Sequence, residues 1–190
     1  MLSEIKPKLS PIINFVARPF LIIHPNILSL IGLIFPILFL YFMTINSYWW
    51  AGFMLLGSIF DTLDGAVAKI TNRVTKFGAL LDSTLDRISD GLIILGFYYS
   101  GLIPLELTLI VLIESYLISY IRSRSELAAK GEFVLSVGII ERPERIVLFM
   151  LTLIFAQWGF AVHTFVVLAI LSLITILQRL IVSYRRLKNF

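Results

Sequence analysis

Four carboxylates, Asp61, Asp64, Asp82 and Asp86, stand in one short stretch of an otherwise apolar chain. Asp61 and Asp64 are three residues apart and Asp82 and Asp86 are four apart, so on helices each pair shares a face. Between the pairs, Thr71 to Thr75 lets the chain turn, and the two faces can meet. Converging carboxylates at low dielectric repel, and without a counter-charge several must take up protons. A divalent cation resolves this, and all-oxygen donors point to a hard ion, Mg2+ or Mn2+. Gly65 and Ala68 lie within a turn of Asp64, and Gly78 lies four residues before Asp82, which leaves room for a ligand close to the backbone. With Lys69 beside them, the expected ligand is a diphosphate. Two metal ions on shared carboxylates would polarise it and neutralise its leaving group. Each feature alone has a plainer explanation. A DxxD at a helix end is most often solvated or capping, and small residues in membrane helices most often serve packing. Their joint occurrence beside hydrocarbon favours chemistry, because ionisable groups at membrane depth are costly.

The elements that hold these residues are read from composition and pattern. The chain has 190 residues, 58% hydrophobic and only 15% charged, with mean hydropathy +0.94. Soluble domains are about 45–50% apolar and about 25% charged. A globule of this size cannot bury so much apolar surface, so the expectation is an all-α integral membrane protein, one domain over residues 1–190. There is no cysteine, which excludes disulfides. The apolar run from Pro11 to Ile23 is broken by Arg18 and Pro19 and is not read as a secretory leader. Residues 1–25 read instead as an amphipathic segment on the membrane surface or packed on the bundle.

Six membrane spans are expected over residues 26–190. They run from Asn26 to about Ile45, from Tyr48 to about Ile70, from Gly78 to Tyr99, from Leu105 to about Ile121, from Arg145 to Phe155, and from Thr164 to about Ser183. Only the fifth is short. Asn26 caps the first, and Trp49 and Trp50 mark an interface. With the N-terminus inside, all 16 Lys and Arg fall on inner segments. That asymmetry explains the net charge of +4 without nucleic acid. It places both termini and the aspartates on the cytoplasmic side of a multi-pass protein of the cell membrane.

The stretch DTLDGAVAKITNRVTKFGALLDSTLD resembles the signature of the CDP-alcohol phosphotransferase family, D-x2-D-G-x2-A-R-x8-G-x3-D-x3-D. Asp61, Asp64, Gly65, Ala68, Gly78, Asp82 and Asp86 match at the same spacings, and Lys69 replaces the usual Arg. Lysine keeps the charge and loses the bidentate fork. The resemblance implies a transferase of phospholipid biosynthesis that displaces CMP from a CDP-lipid by an alcohol. It implies that Asp61, Asp64 and Asp82 are metal ligands, and that Asp86 is the general base and also near a metal. Gly65, Ala68, Lys69 and Gly78 would line the CDP-lipid site. A homodimer is implied too. Asp90, one turn beyond Asp86, reads as structural.

The acceptor is read from Ser119 to Arg145. Arg122, Arg124, Arg142 and Arg145 lie there, and arginine grips phosphate in a fork where plain positive-inside charge needs only lysine. The segments around SYIRSRSE and ERPER resemble the inositol-phosphate branch of the family, the phosphatidylinositol phosphate and archaetidylinositol phosphate synthases. This implies myo-inositol phosphate as acceptor, its phosphate on Arg122, Arg142 and Arg179 with Arg124 and Arg145 in support. The donor would be CDP-archaeol or CDP-diacylglycerol. Glycerol 3-phosphate is the alternative acceptor, since it also rewards arginines. A small metal-ion transporter is a distant alternative, against which the aspartates cluster at one edge of the membrane. A membrane prenyltransferase would need two Asp-rich motifs on more spans.

Overall fold

A computed structural model describes residues 15–57, 61–130 and 132–188. Among them all regular structure is helical. The helices are α1 (Pro25–Gly32), α2 (Ile34–Thr44), α3 (Tyr48–Gly57), α4 (Asp61–Ile70), α5 (Lys76–Tyr99), α6 (Leu105–Ala128), α7 (Arg142–Ala156) and α8 (Ala161–Leu187). A 3-10 turn, Arg18–Phe20, precedes them. The chain forms two compact units, Met1–Ser100 and Gly101–Phe190.

In the first unit, α1 starts at Pro25, whose missing N–H costs nothing at a helix start. The capping group is His24, whose ring accepts the Asn26 N–H at 3.3 Å. The expected first span is not one straight helix. Pro36 has no N–H for the Gly32 carbonyl, and the chain breaks at Leu33 between α1 and α2. Helix α1 packs on α4 and α5, and α2 packs on α3 and α5. A core of Ala17, Leu28, Leu63 and Val67 joins α1 to α4. Phe39 of α2 packs its ring against that of Phe97 of α5, tilted, with centroids 5.6 Å apart, and a Cβ at Gly96 would come within 2.7 Å of the Phe39 ring. That glycine lets the two helices approach.

The second unit is held by α8 packed against α6 and α7. Hydroxyl pairs bridge the helices, Ser125 to Ser183 at 2.7 Å and Thr164 to Thr152 at 2.9 Å. Helix α7 begins in a capping box made by Glu141 and Glu144, with Pro143 in its first turn.

Large apolar side chains face outward on both units, among them Ile37, Trp49, Ile113, Ile170 and Leu177. Such an exterior is untenable in water and expected in hydrocarbon. Among the described residues, two helical stretches are long and apolar enough to cross a membrane, Pro25–Thr44 and Ala161–Leu187. Helices α5 and α6 have 24 residues each, about 36 Å at 1.5 Å per residue, but carry several charges. Helix α7 has 15 residues and starts at Arg142, three before the expected Arg145. Within the expected second span, α3 ends at Gly57 and α4 starts at Asp61. Most of the expected N-terminal interfacial segment, with Lys6 and Lys8, lies outside the described residues.

Candidate active site

Helix α4 ends in a turn that brings α5 back beside it. Arg73 N–H donates to the Ala68 carbonyl at 2.8 Å, and Asn72 takes a left-handed φ of 53°. Thr75 then caps α5 by accepting the Gly78 N–H at 2.9 Å. These local bonds place Asp64 and Asp82, on different helices, in one cleft of about 180 Å3. Six residues selected from sequence line it: Asp64, Gly65, Ala68, Lys69, Gly78 and Asp82. Lys69 and Arg73 supply positive charge, and the α5 N-terminus supplies a partial one. The cleft thus offers carboxylates for a cation and cations for an anion, as a metal-bound diphosphate requires.

Asp64 is buried at 5% exposure. Its Oδ2 accepts the Ser29 hydroxyl and its Oδ1 accepts the Gly65 N–H. The two glycines differ. A Cβ at Gly65 would meet nothing within 4 Å, so its lack of a side chain keeps space open. A Cβ at Gly78 would lie 3.0 Å from Thr75 Oγ1 and 3.2 Å from Asn26 Oδ1, so that glycine serves close packing. Asp86 is one turn beyond Asp82 on α5, its side chain 24% exposed, with Arg87 Nη1 at 4.0 Å. Asp86 is not among the cleft's lining residues. Asp90, a further turn on, is buried. Asp61 opens α4, and its side chain lies outside the described residues.

The donor chemistry fits a hard divalent cation, since carboxylates reach one cleft from two helices. Among the described residues no three acidic, imidazole or thiol side chains close around one point. Reading the spacing alone missed Asn26 and Ser29 as lining groups from α1, and Arg73 and Thr75 from the turn. For Ser29 the available signal is its place three and four residues after Asn26 and Pro25, on the same face.

The second unit collects arginines from three helices. Arg122 Nε donates to Glu126 Oε1 at 3.0 Å, and the same oxygen accepts the Leu135 N–H at 3.0 Å. Arg179 is 2% exposed. Its Nε donates to the Val137 carbonyl at 2.8 Å, its Nη1 to the Ile118 carbonyl at 2.6 Å, and its Nη2 lies 3.6 Å from Glu141 Oε1. Arg122 and Arg145 stand close enough to Arg179 to act on it electrostatically. Arg145 is buried and Arg142 half-buried at the start of α7. Arg124 is exposed and, two residues from Arg122, does not share its face.

Residues 22–182, spanning most of both units, match the family described as CDP-alcohol phosphatidyltransferase. The chain is 39% identical over 191 residues to the archaetidylinositol phosphate synthase of Pyrococcus horikoshii, with 99% of each chain covered. Among solved structures it is similar to the Mycobacterium tuberculosis phosphatidylinositol phosphate synthase with CDP-DAG bound, at TM-score 0.77 and 29% identity, covering 92% of this chain and 94% of that one. The same enzyme in complex with manganese and citrate gives TM-score 0.77 and 29% identity, over 90% and 88% of the two chains.

Proposed function

The chain belongs to the CDP-alcohol phosphatidyltransferase family of membrane transferases, and from that premise we propose that it makes an inositol phosphate lipid. The donor is CDP-archaeol or CDP-diacylglycerol, the acceptor is myo-inositol phosphate, and CMP is released. One observation carries the reading: Asp64 and Asp82 share a cleft with Lys69, Arg73 and the open space over Gly65.

In this reading Asp61, Asp64, Asp82 and Asp86 hold Mg2+ or Mn2+, two ions in all. When bound, such ions would neutralise charge on the diphosphate and make it a better leaving group. Lys69 adds charge to the diphosphate, and Gly65, Ala68 and Gly78 let it approach the backbone. Asp86 takes the proton of the inositol hydroxyl. The hydroxyl oxygen bonds the lipid-side phosphorus, the diphosphate P–O bond breaks, and CMP leaves with the bridging oxygen. The acceptor's phosphate sits on Arg122, Arg142 and Arg179, with Arg124 and Arg145 in support. Their number is what favours a phosphorylated acceptor over free inositol.

The setting is proposed on the same footing. The chain is a single domain of six spans in the cell membrane with an interfacial N-terminal segment. Both termini and the site are cytoplasmic, since every Lys and Arg falls on inner segments in that orientation. It works as a homodimer.

The test is a mass spectrum of the lipid formed by purified enzyme from each CDP-lipid with myo-inositol phosphate, free inositol or glycerol 3-phosphate. An inositol phosphate lipid is expected. A product from glycerol 3-phosphate alone would replace the acceptor while leaving the reaction class intact.

A further inference from the structure

We propose that Ser29 is a positioning residue that sets the metal affinity of the site by orienting the Asp64 carboxylate. The inference rests on the reading of Asp64 as a metal ligand and deepens it. Ser29 lies on α1, a helix whose neighbouring residues Leu28, Leu30 and Ile31 are apolar. Its side chain is 5% exposed, as is that of Asp64. Its hydroxyl donates to Asp64 Oδ2, 35 residues away in sequence. The Pro25 carbonyl lies at 3.2 Å from the same hydroxyl. A hydroxyl has one hydrogen, and the carboxylate is the stronger acceptor.

The geometry gives the bond a purpose. Among the described side chains Asp64 is the cleft carboxylate contributed by α4, and the backbone N–H of Gly65 fixes its Oδ1. With Oδ2 fixed by Ser29, the plane of the carboxylate is set from both ends. Each carboxylate oxygen has two lone pairs, so accepting these bonds does not close it to a cation. Partners behind a metal ligand fix its orientation, and their loss typically costs about 10–100-fold in metal affinity. Alanine would fill the same apolar packing on α1, so packing alone does not call for a hydroxyl here. Nor does helix capping, which His24 performs.

The experiment measures Mn2+ binding to the purified full chain without substrate, by the electron paramagnetic resonance signal of free Mn2+. Each variant's unfolding temperature is recorded alongside. Ser29→Ala is expected to weaken binding by about tenfold or more with the unfolding temperature little changed. Ser29→Thr keeps the hydroxyl and is expected to bind as the parent does. Ser29→Val has the shape of threonine without the hydroxyl, so the Thr and Val pair isolates the hydrogen bond even if Ser29→Ala folds poorly. Asp64→Asn is the reference and is expected to lose binding. If Ser29→Ala and Ser29→Val bind like the parent while Asp64→Asn does not, Ser29 has no such role and the metal site stands. If Asp64→Asn binds Mn2+ like the parent, the metal reading fails and takes this inference with it.

Discussion

Arg179 Nη1 donates to the Ile118 carbonyl at 2.6 Å, which ties α8 to α6 through a buried guanidinium. Its Nε reaches the Val137 carbonyl, and Nη2 faces Glu141, the capping residue of α7. One side chain therefore braces the elements that carry Arg122, Arg142 and Arg145. Lysine at 179 keeps the charge and loses the fork. Arg179→Lys is expected to cost ~1–3 kcal/mol of stability, because buried carbonyls lose their donor. It should also raise the KM for inositol phosphate about tenfold, because one ammonium cannot both brace these elements and reach the acceptor's phosphate. Denaturant unfolding and acceptor kinetics check the two effects separately. An unchanged KM would make Arg179 a brace and no ligand.

Asp86 differs from Asp64 in setting, and the difference fits its proposed role. Asp64 is buried and hydrogen-bonded on both oxygens, whereas the Asp86 side chain is 24% exposed. A base must be reachable by the hydroxyl it deprotonates. Asp86→Asn removes the basic group and preserves the shape, so transfer should fall about 100- to 10,000-fold. CDP-lipid binding should fall far less than transfer. Radiolabel transfer assays and equilibrium binding of the CDP-lipid check this. Near-parental turnover in the variant would remove Asp86 from the chemistry.

The two signature glycines should fail in different ways. Gly65 has open space where a Cβ would stand, so Gly65→Ala meets no atom of the fold. Exchanging a mid-helix glycine for alanine should raise stability by roughly 0.5–1 kcal/mol. The same methyl intrudes where the diphosphate is proposed to lie, and the KM for the CDP-lipid should rise. Gly78→Ala instead presses on the Thr75 and Asn26 side chains at 3.0 and 3.2 Å. It should lose about 1 kcal/mol by disturbing the α5 cap. Thermal unfolding of both variants, beside CDP-lipid kinetics, reads the contrast. Equal stability losses at 65 and 78 would mean that both glycines serve packing.

These glycines also mark what pattern can and cannot reveal. The spacings of Asp64, Gly65, Ala68, Lys69, Gly78 and Asp82 are local, and helical periodicity together with the turn between α4 and α5 puts them in one cleft. Which glycine is space and which is packing depends on Thr75 and on Asn26, the second far away in the chain. Ser29 was illegible for the same reason. A serine in an apolar helix has many uses, and only the packing of α1 on α4 brings it to Asp64. The all-helical class was legible from apolar run lengths. The break at Leu33 was not foreseen, although Pro36 supplies its cause. Arg179 was selected for its charge, and one of its two backbone contacts, the Val137 carbonyl, comes from the non-helical stretch before α7, which no periodicity predicts.

Metal removal tests the carboxylates as a set. Asp64 and Asp82 reach one cleft from two helices, and among the described residues no third acidic group closes around them. A site so arranged gains its coherence from the ion, because carboxylates brought together without one repel or protonate. Treatment with a chelator is expected to abolish transfer, and Mg2+ or Mn2+ should restore it. Zn2+ prefers nitrogen and sulfur ligands and should restore it poorly. The proposal of two ions makes a sharper demand. Activity should rise with metal concentration more steeply than a single-site curve, and Asp82→Asn should reduce that dependence to one site or none. A hyperbolic single-site titration in the parent enzyme would reduce the count to one ion. Full activity in the chelator would dismiss the metal altogether and leave the diphosphate to Lys69 and Arg73 among the described residues that line the cleft.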